Sequence, residues 1–552
     1  MRYAHFILVL AVILCAATTS CKKVLEVENF GFFTENDILK TEADAANLLL
    51  GAYSELTNAN SYTLFNQVYW NIFDLDHDHT TGSSWLFGNL GSGNYMDFWG
   101  MNRMWDGPFK VVQRTNKVII KVPAMNIDEA VKANVLGEAH ALRAWAYFVL
   151  VQIYGPLPLR TTIMEDDPNV NVPRASVGDV YRLIVRDLRT AIPLLAAKGN
   201  SLAGGTGRIH KAAAQSLLAK VFLTMASGAQ KGVPISVRGG KDNAVYNYTQ
   251  NGVAGYEDFN SNDYFKKARD LADSVITGKG GGGAYSLISP ISDVFTKAQI
   301  NGSEAIWYLP FKDGSDHWNQ LNMYFSACSP VRGYGGWIYL TNHFYASYEE
   351  QDHRVLKLIY HTNFFTQYDF PYASPAFYPN DKAKYGNYKA MVTLPDGTKK
   401  EQEAAYTNKA STTKYSDVSH FDSNNSDATF YLIRFSDVLL MFAEADNEIN
   451  PGSAVALQRL NKVRERSKAT PAPAMNQTDF RSFVMEERAR ELAMESNRRF
   501  DLIRRGIFLQ VMNQLDIDQE NNIKRRSEKH LLFPIPITEL NGNKSLKQNP
   551  GW

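Results

Sequence analysis

The chain predicts a mainly α-helical fold, and three observations carry that expectation. Capping residues stand directly ahead of runs with helical apolar spacing, and glycine and proline close those runs. The stretches between them are long, irregular and rich in aromatics and glycine. After a short tether from Lys22 to about Phe33, helix signals dominate as far as Thr277. Thr41 and Asp44 form a capping box ahead of a helix over 45–56, each side chain bonding the other's backbone N–H. Gly155 and Pro156 stop a helix over 138–154, since proline brings no N–H and clashes with the preceding turn. Ser176 and Asp179 make a second box before 180–195. Gly204, Gly205 and Gly207 mark the loop ahead of a helix over 211–225. In the C-terminal half, Asn450, Pro451 and Gly452 end a helix over 437–449, and another follows over 454–466. The irregular stretches are 70–100, 231–262, 279–345 and 368–430, with a flexible loop expected at Gly280 to Gly283. Long loops on a rigid helical scaffold are where binding residues usually sit. One compact unit of two interleaved halves is expected rather than independent modules, although 552 residues would permit two to four domains.

Bulk numbers exclude some classes. Net charge is +1, from 58 basic and 57 acidic residues, so nothing favours nucleic acid or another polyanion as partner. Aromatic residues make up 12% of the chain, with 28 Tyr, 30 Phe and 9 Trp, enough to supply a binding face as well as a core. Phe6 to Ala17 is an apolar run behind Arg2, too short to span a bilayer stably and suited to an export signal over 1–20. No other run reaches the length of a membrane span, so the mature body is expected to be water-soluble.

The densest pattern lies at 486–506, EERARELAMESNRRFDLIRRG, with six arginines and five carboxylates. Met485, Ala489, Leu492 and Ala493 share one face at helical spacing, and composition alone reads the rest as a solvated, salt-bridged helix. The pattern resembles the ERxxELxxExxRxxDLxR signature of SusD/RagB proteins, surface glycan-binding lipoproteins of Bacteroidetes. Glu487, Arg488, Glu491, Leu492, Glu495, Arg498 or Arg499, Asp501, Leu502 and Arg504 or Arg505 carry the match. Further blocks are similar to the family's in order: 41–56, 105–119 with Phe109 for the usual Tyr, 137–159, 208–223, 431–449, and 531–552 with Trp552 for Tyr. The resemblance implies a SusD-like fold with tetratricopeptide-like helix pairs, an N-terminal half over 21–230 and a C-terminal half over 231–552. No 34-residue repeat is visible in the sequence itself. The signature's charged residues are expected to be structural, since interlocking Arg–carboxylate bonds can tie helices together.

Thr18, Thr19, Ser20 and Cys21 resemble a lipobox, with Thr18 where Leu is usual. Cys21 is the expected lipidation site, and only its lipid would touch membrane. Cys15 would leave with the signal, so Cys328 stands alone in the mature chain and no intrachain disulfide is expected.

Asp74, Asp76, His77, Asp78 and His79 alternate carboxylates and imidazoles that could ligate zinc or calcium. The HExxH and EF-hand spacings are absent, and a polar turn is preferred over a metal site. Trp85, Trp99, Trp318 and Trp337 fall in the irregular stretches. An indole offers a flat apolar face to the C–H bonds of a sugar ring and an N–H at its edge. Asp76, Asn102, Asn319 and Gln320 could bond sugar hydroxyls beside them. Trp105 and Trp145 fall on helix blocks and are expected in the core. No nucleophile elbow, P-loop or paired-cysteine motif appears, and neither an enzyme nor a cofactor is expected.

The leading reading, implied by the resemblance, is an outer-membrane lipoprotein that captures oligosaccharide for a SusC-like TonB-dependent transporter, which it covers as a hinged lid. A peptide-binding RagB-like protein is the alternative, since stacking rings and amides suit both ligands. A secreted glycosidase needs two carboxylates across a cleft, which the sequence alone does not show. A helical scaffold without ligand fits the aromatic loops poorly.

Overall fold

Thr41 caps the first helix as the sequence predicts. Its Oγ1 accepts from Asp44 N at 3.2 Å, and Asp44 accepts from Thr41 N at 2.7 Å. The computed structural model describes residues 39–58, 64–83, 86, 88, 90–98, 100–326, 336–365, 374–378, 389–393, 398–403, 405–406, 409–420 and 425–552. The expected signal, tether and Cys21 lie outside the described residues, as do Trp85, Trp99 and Cys328.

The helices that build the scaffold are α1 (Glu42–Thr57), α2 (Tyr69–Leu75), α3 (Met101–Lys121), α4 (Glu129–Tyr154), α5 (Val177–Leu194), α6 (Lys211–Ala229), α7 (Ser261–Ile276), α8 (Phe435–Ile449), α9 (Ala454–Arg466), α10 (Gln477–Glu491), α11 (Arg498–Arg504) and α12 (Phe508–Leu515). Helix α4 starts well before residue 138 because Asp128 caps it, accepting from Ala130 N and Val131 N at 2.9 and 3.1 Å. Ser176 Oγ accepts from Asp179 N at 3.1 Å to begin α5.

From α3 onward each scaffold helix packs on the next: α3 on α4, α4 on α5, α5 on α6, α6 on α7, α7 on α8 and α8 on α9, with α1 against α3 and α10 against α8. This nearest-neighbour stacking is the signature of a helical solenoid. Small residues set the contact distances. A Cβ on Gly137 of α4 would lie 2.9 Å from Leu195 Cγ, so a larger residue would push the helices apart. Trp105 and Trp145 are buried as expected, at 3% and 4% exposure.

Most of the strands appear in the stretches expected to be irregular. β1 (Thr80–Gly82) pairs antiparallel with β5 (Ile338–Leu340). β2 (Pro234–Gly239) and β3 (Ala244–Thr249) form a hairpin. Its Ile235 and Val237 join a small core with Met485, Leu502, Phe508 and Met512. β4 (Ala305–Leu309) pairs with β6 (Phe430–Arg434), which runs directly into α8. The Gly280–Gly283 run is fitted rather than loose. Gln215 Nε2 donates to Gly280 O at 3.0 Å, and a Cβ on Gly282 would meet Ala212 N at 2.8 Å.

The charged stretch departs furthest from its composition. It is not one solvated helix: α10 ends at Glu491, Met494 and Ser496 take φ of 58° and 57°, and α11 restarts at Arg498. Asp74 fixes the break by accepting from Ser496 N at 3.1 Å and Ser496 Oγ at 2.7 Å. Every charged residue of the signature from Glu487 to Arg505 except Arg490 is buried.

Candidate ligand-binding site

The buried charges come first because they position the loops. Glu487 accepts from Arg354 Nη1 and Arg464 Nη1, each at 2.6 Å. Glu491 accepts from Arg434 Nη1 at 2.6 Å and from Arg466. Glu495 accepts from Arg434 Nε at 2.8 Å and Lys414 Nζ at 2.5 Å. Arg488 reaches Asp437 at 2.8 Å and Asp501 at 3.1 Å. Burial pushes the Glu487 carboxyl up, but Arg354, Arg490 and Arg464 outweigh it and hold it down at about 2.

The far end of this network seizes residues 74–79. Arg498 grips Asp78 through two bonds of 2.9 and 2.8 Å. Arg499 and Arg526 donate to Asp76 at 2.7 and 2.9 Å, and Tyr95 adds its hydroxyl. Lys524 Nζ donates to the carbonyls of His77 and Thr80 at 3.1 and 2.9 Å. The stretch is therefore neither an exposed polar turn nor a set of free metal ligands. Among the described residues no group of three or more His, Cys, Asp or Glu is placed to hold a metal. Asp76, expected to bond a ligand, is fully buried and saturated by internal donors. Burial raises its carboxyl, and Arg526 and Arg499 bring it back down to about 2.

With this loop fixed, β1 leaves it to pair with β5, and Ser83 N donates to Trp337 O at 3.3 Å. One short span, residues 66–70, then touches two other pieces of chain, the start of α3 and the segment 318–324. Asn66 Nδ2 donates to Trp318 O at 2.9 Å. Val68 lies under the start of α3, its Cγ1 3.1 Å from where a Cβ on Gly100 would stand. Trp70 meets the Tyr324 ring at 4.8 Å, and Tyr324 meets Trp337 at 5.0 Å and 89°. Trp318 and Trp337 are half-buried and Asn102 is exposed, so all three keep surface for a ligand.

Asn319, the remaining expected contact, does not keep such surface. It is fully buried, with Nδ2 donating to Ala428 O at 2.6 Å and Oδ1 accepting from Leu321 N at 3.0 Å and Ser426 Oγ at 2.7 Å. It holds the Trp318 loop instead of facing outward. Sequence reasoning missed Gln67, half-buried and donating to Tyr324 Oη at 3.2 Å, and His317, whose Nδ1 lies 2.9 Å from Thr57 Oγ1 at the end of α1. The signal was present for Gln67: Phe65, Tyr69 and Phe73 repeat at helical spacing, running into the stretch from residue 70 that was expected to be irregular.

A helical solenoid with half-exposed rings and amides in its connecting segments is the class of fold the structure defines. The chain belongs to the SusD family. Its residues 303–552 match the family model described as SusD family, and residues 32–223 match one described as starch-binding associating with outer membrane. A SusD-like protein of Formosa agariphila is 24% identical over 566 aligned positions, covering 98% of both chains. Among solved structures, a SusD homolog from Bacteroides thetaiotaomicron superposes with a TM-score of 0.72 at 22% identity, covering 94% of this chain and 99% of its own. A laminarin-binding SusD-like protein superposes with a TM-score of 0.64 at 20% identity, covering 93% and 100%.

Proposed function

We propose that the protein is a non-catalytic, lipid-anchored outer-membrane lipoprotein that binds oligosaccharide and passes it to a SusC-like TonB-dependent transporter. The observation that carries the binding reading is the span at 66–70, which gathers Trp318, Trp337 and the Asn102 end of α3 around one hub. Half-exposed indoles with neighbouring amides suit the apolar faces and hydroxyl edges of sugars. Trp85 and Trp99 remain proposed ligand contacts on their sequence alone, since both lie outside the described residues. Family membership supports the glycan as ligand class, and the laminarin-binding relative suggests a first probe. Anchoring through Cys21, exposure at the cell surface and transfer to a transporter complete the proposal.

Isothermal titration with laminarin oligosaccharides and a glycan array tests it. Binding without shortening of the oligosaccharide is the expected result. Failure of every glycan, with capture of peptides instead, would transfer the site to the peptide reading. Shortened products that vanish on changing one carboxylate would establish a glycosidase.

A further inference from the structure

A second cleft, of about 370 Å³, lies further along α3, against the C-terminal helical turn Ile537–Gly542. That volume falls within the range of small-molecule sites, about 300–1,000 Å³. Its floor is apolar: Phe109 is half-buried in it, with Trp105 beneath at 4.9 Å between ring centroids. Its rim carries acceptors with lone pairs that no protein donor fills. Asp106 has no hydrogen bond among the described residues, and Glu539 uses one oxygen, Oε2, to accept from Trp105 Nε1 at 3.1 Å, leaving Oε1 free. Gln113, two turns along the same helix, also lacks a partner among the described residues. Behind Trp105, the fully buried Tyr154 hydroxyl is unpartnered. The phenol is near enough to both carboxylates for their charge to add to burial in raising its pKa. Burial also raises Asp106 and Glu539, and the Asp106 charge contributes to the shift at Glu539.

Asp106 and Glu539 are half-buried with lone pairs open to the cleft, so beside an aromatic floor they suit a ligand rich in donors. Lys110 and Arg160 at the rim moderate the negative charge, which favours a neutral polyol over a cation. We infer that this cleft is a second saccharide subsite, in which Asp106 and Glu539 accept from neighbouring hydroxyls of one sugar ring whose C–H face lies on Phe109. The inference rests on the glycan-binding reading above. Asn102 and Asp106 are one helical turn apart on α3, so the subsite continues the first face along the same helix.

The Trp105 indole N–H donates to Glu539 and is a built-in reporter. Nitrogen-15 labelling of tryptophan gives indole signals for Trp105, Trp318 and Trp337, each assigned by its Phe variant. Titration with methyl glucosides, methyl galactosides and laminaritriose should move the Trp105 signal saturably. Glu539→Gln should raise the dissociation constant read at Trp105 about tenfold, as loss of a hydrogen bond to a charged group does, and Gln113→Ala about fivefold, as loss of a neutral one does, without altering that read at Trp337. Gln113→Ala lies on the helix surface and keeps the test valid if Glu539→Gln disturbs the C-terminal turn. A Trp105 signal that stays still while Trp337 moves overturns the subsite and leaves the first face standing. A still Trp337 with a moving Trp105 does the reverse. Movement of Trp105 by butylamine but by no sugar overturns the saccharide assignment in favour of an amine site.

Discussion

Asp76 and Trp337 show what a residue's type does and does not reveal. Both were legible as candidates, an acceptor and a stacking ring in loop-rich stretches. Their fates differ because of what packs on them: Arg499 and Arg526, distant in the chain, close over Asp76 and bury it, whereas Trp337 meets the Tyr324 ring and stays half-exposed. No local pattern announces which carboxylate an arginine on another element will claim, and Asn319 was misread for the same reason. The two residues therefore predict opposite phenotypes. Trp337→Ala should leave the melting temperature nearly unchanged and weaken oligosaccharide binding about fivefold, the equivalent of about 1 kcal/mol for one stacking ring. Asp76→Asn should leave two buried guanidinium groups short of a counter-charge and cost about 3–5 kcal/mol of stability. Calorimetric melting of both variants, with titration of whichever remains folded, separates the roles. Loss of affinity in a fully stable Asp76→Asn protein would return Asp76 to the site.

At the scale of elements, the signature at 486–506 is a clamp. Its first arm, α10, turns Glu487 and Glu491 toward Arg354, Arg434, Arg464 and Arg466. Its second arm, α11, turns Arg498 and Arg504 toward Asp78 and Glu444. The helix caps and stops were legible because each is a local event of three or four residues. The break between the arms was not, since it depends on Asp74 reaching Ser496 from 422 positions away. Composition suggested a solvated helix because it counts charges without knowing that their partners lie on other helices. Arg488→Ala should lower the melting temperature sharply, with a loss of about 3–5 kcal/mol, whereas an exposed pair would cost about 0–1. The clamp also sets acid sensitivity. Glu487, Asp76 and Asp437 are each held at about 2 in the fold, below their ordinary 4.5, 3.8 and 3.8. Their folded values are depressed, so the stability they contribute is complete above about pH 5 and falls as pH drops through about 4 toward 2. Thermal melts from pH 7 to pH 2 should show that decline. Glu487→Gln should start lower at pH 7 and decline less steeply.

For the whole molecule, the stack from α3 to α9 draws one continuous scaffold from both halves of the chain, and the proposed site draws on Asn66 and Trp70 meeting Trp318 and Tyr324. The sequence announced helices and loops separately. Their assembly rests on contacts spanning roughly 250 residues, such as Asn66 with Trp318, which have no periodic trace. Among the described residues no helix is long and apolar enough to cross a membrane. A binding protein that hands cargo to an outer-membrane transporter must nevertheless stay beside it, and with net charge near +1 general attraction to an anionic surface offers little. A lipid on Cys21 would supply a tether under the function proposed above. One acyl chain gives only marginal, reversible attachment, so a cysteine carrying two or more chains is expected. In cells, the wild-type protein should partition with the outer-membrane fraction and into the detergent phase, and Cys21→Ala should appear in the aqueous phase with its glycan affinity intact. Protease added to intact cells should remove the wild-type protein if it faces outward. An N-terminal peptide mass showing an unmodified Cys21, or cleavage at another residue, would refute the anchor while leaving the binding site untouched.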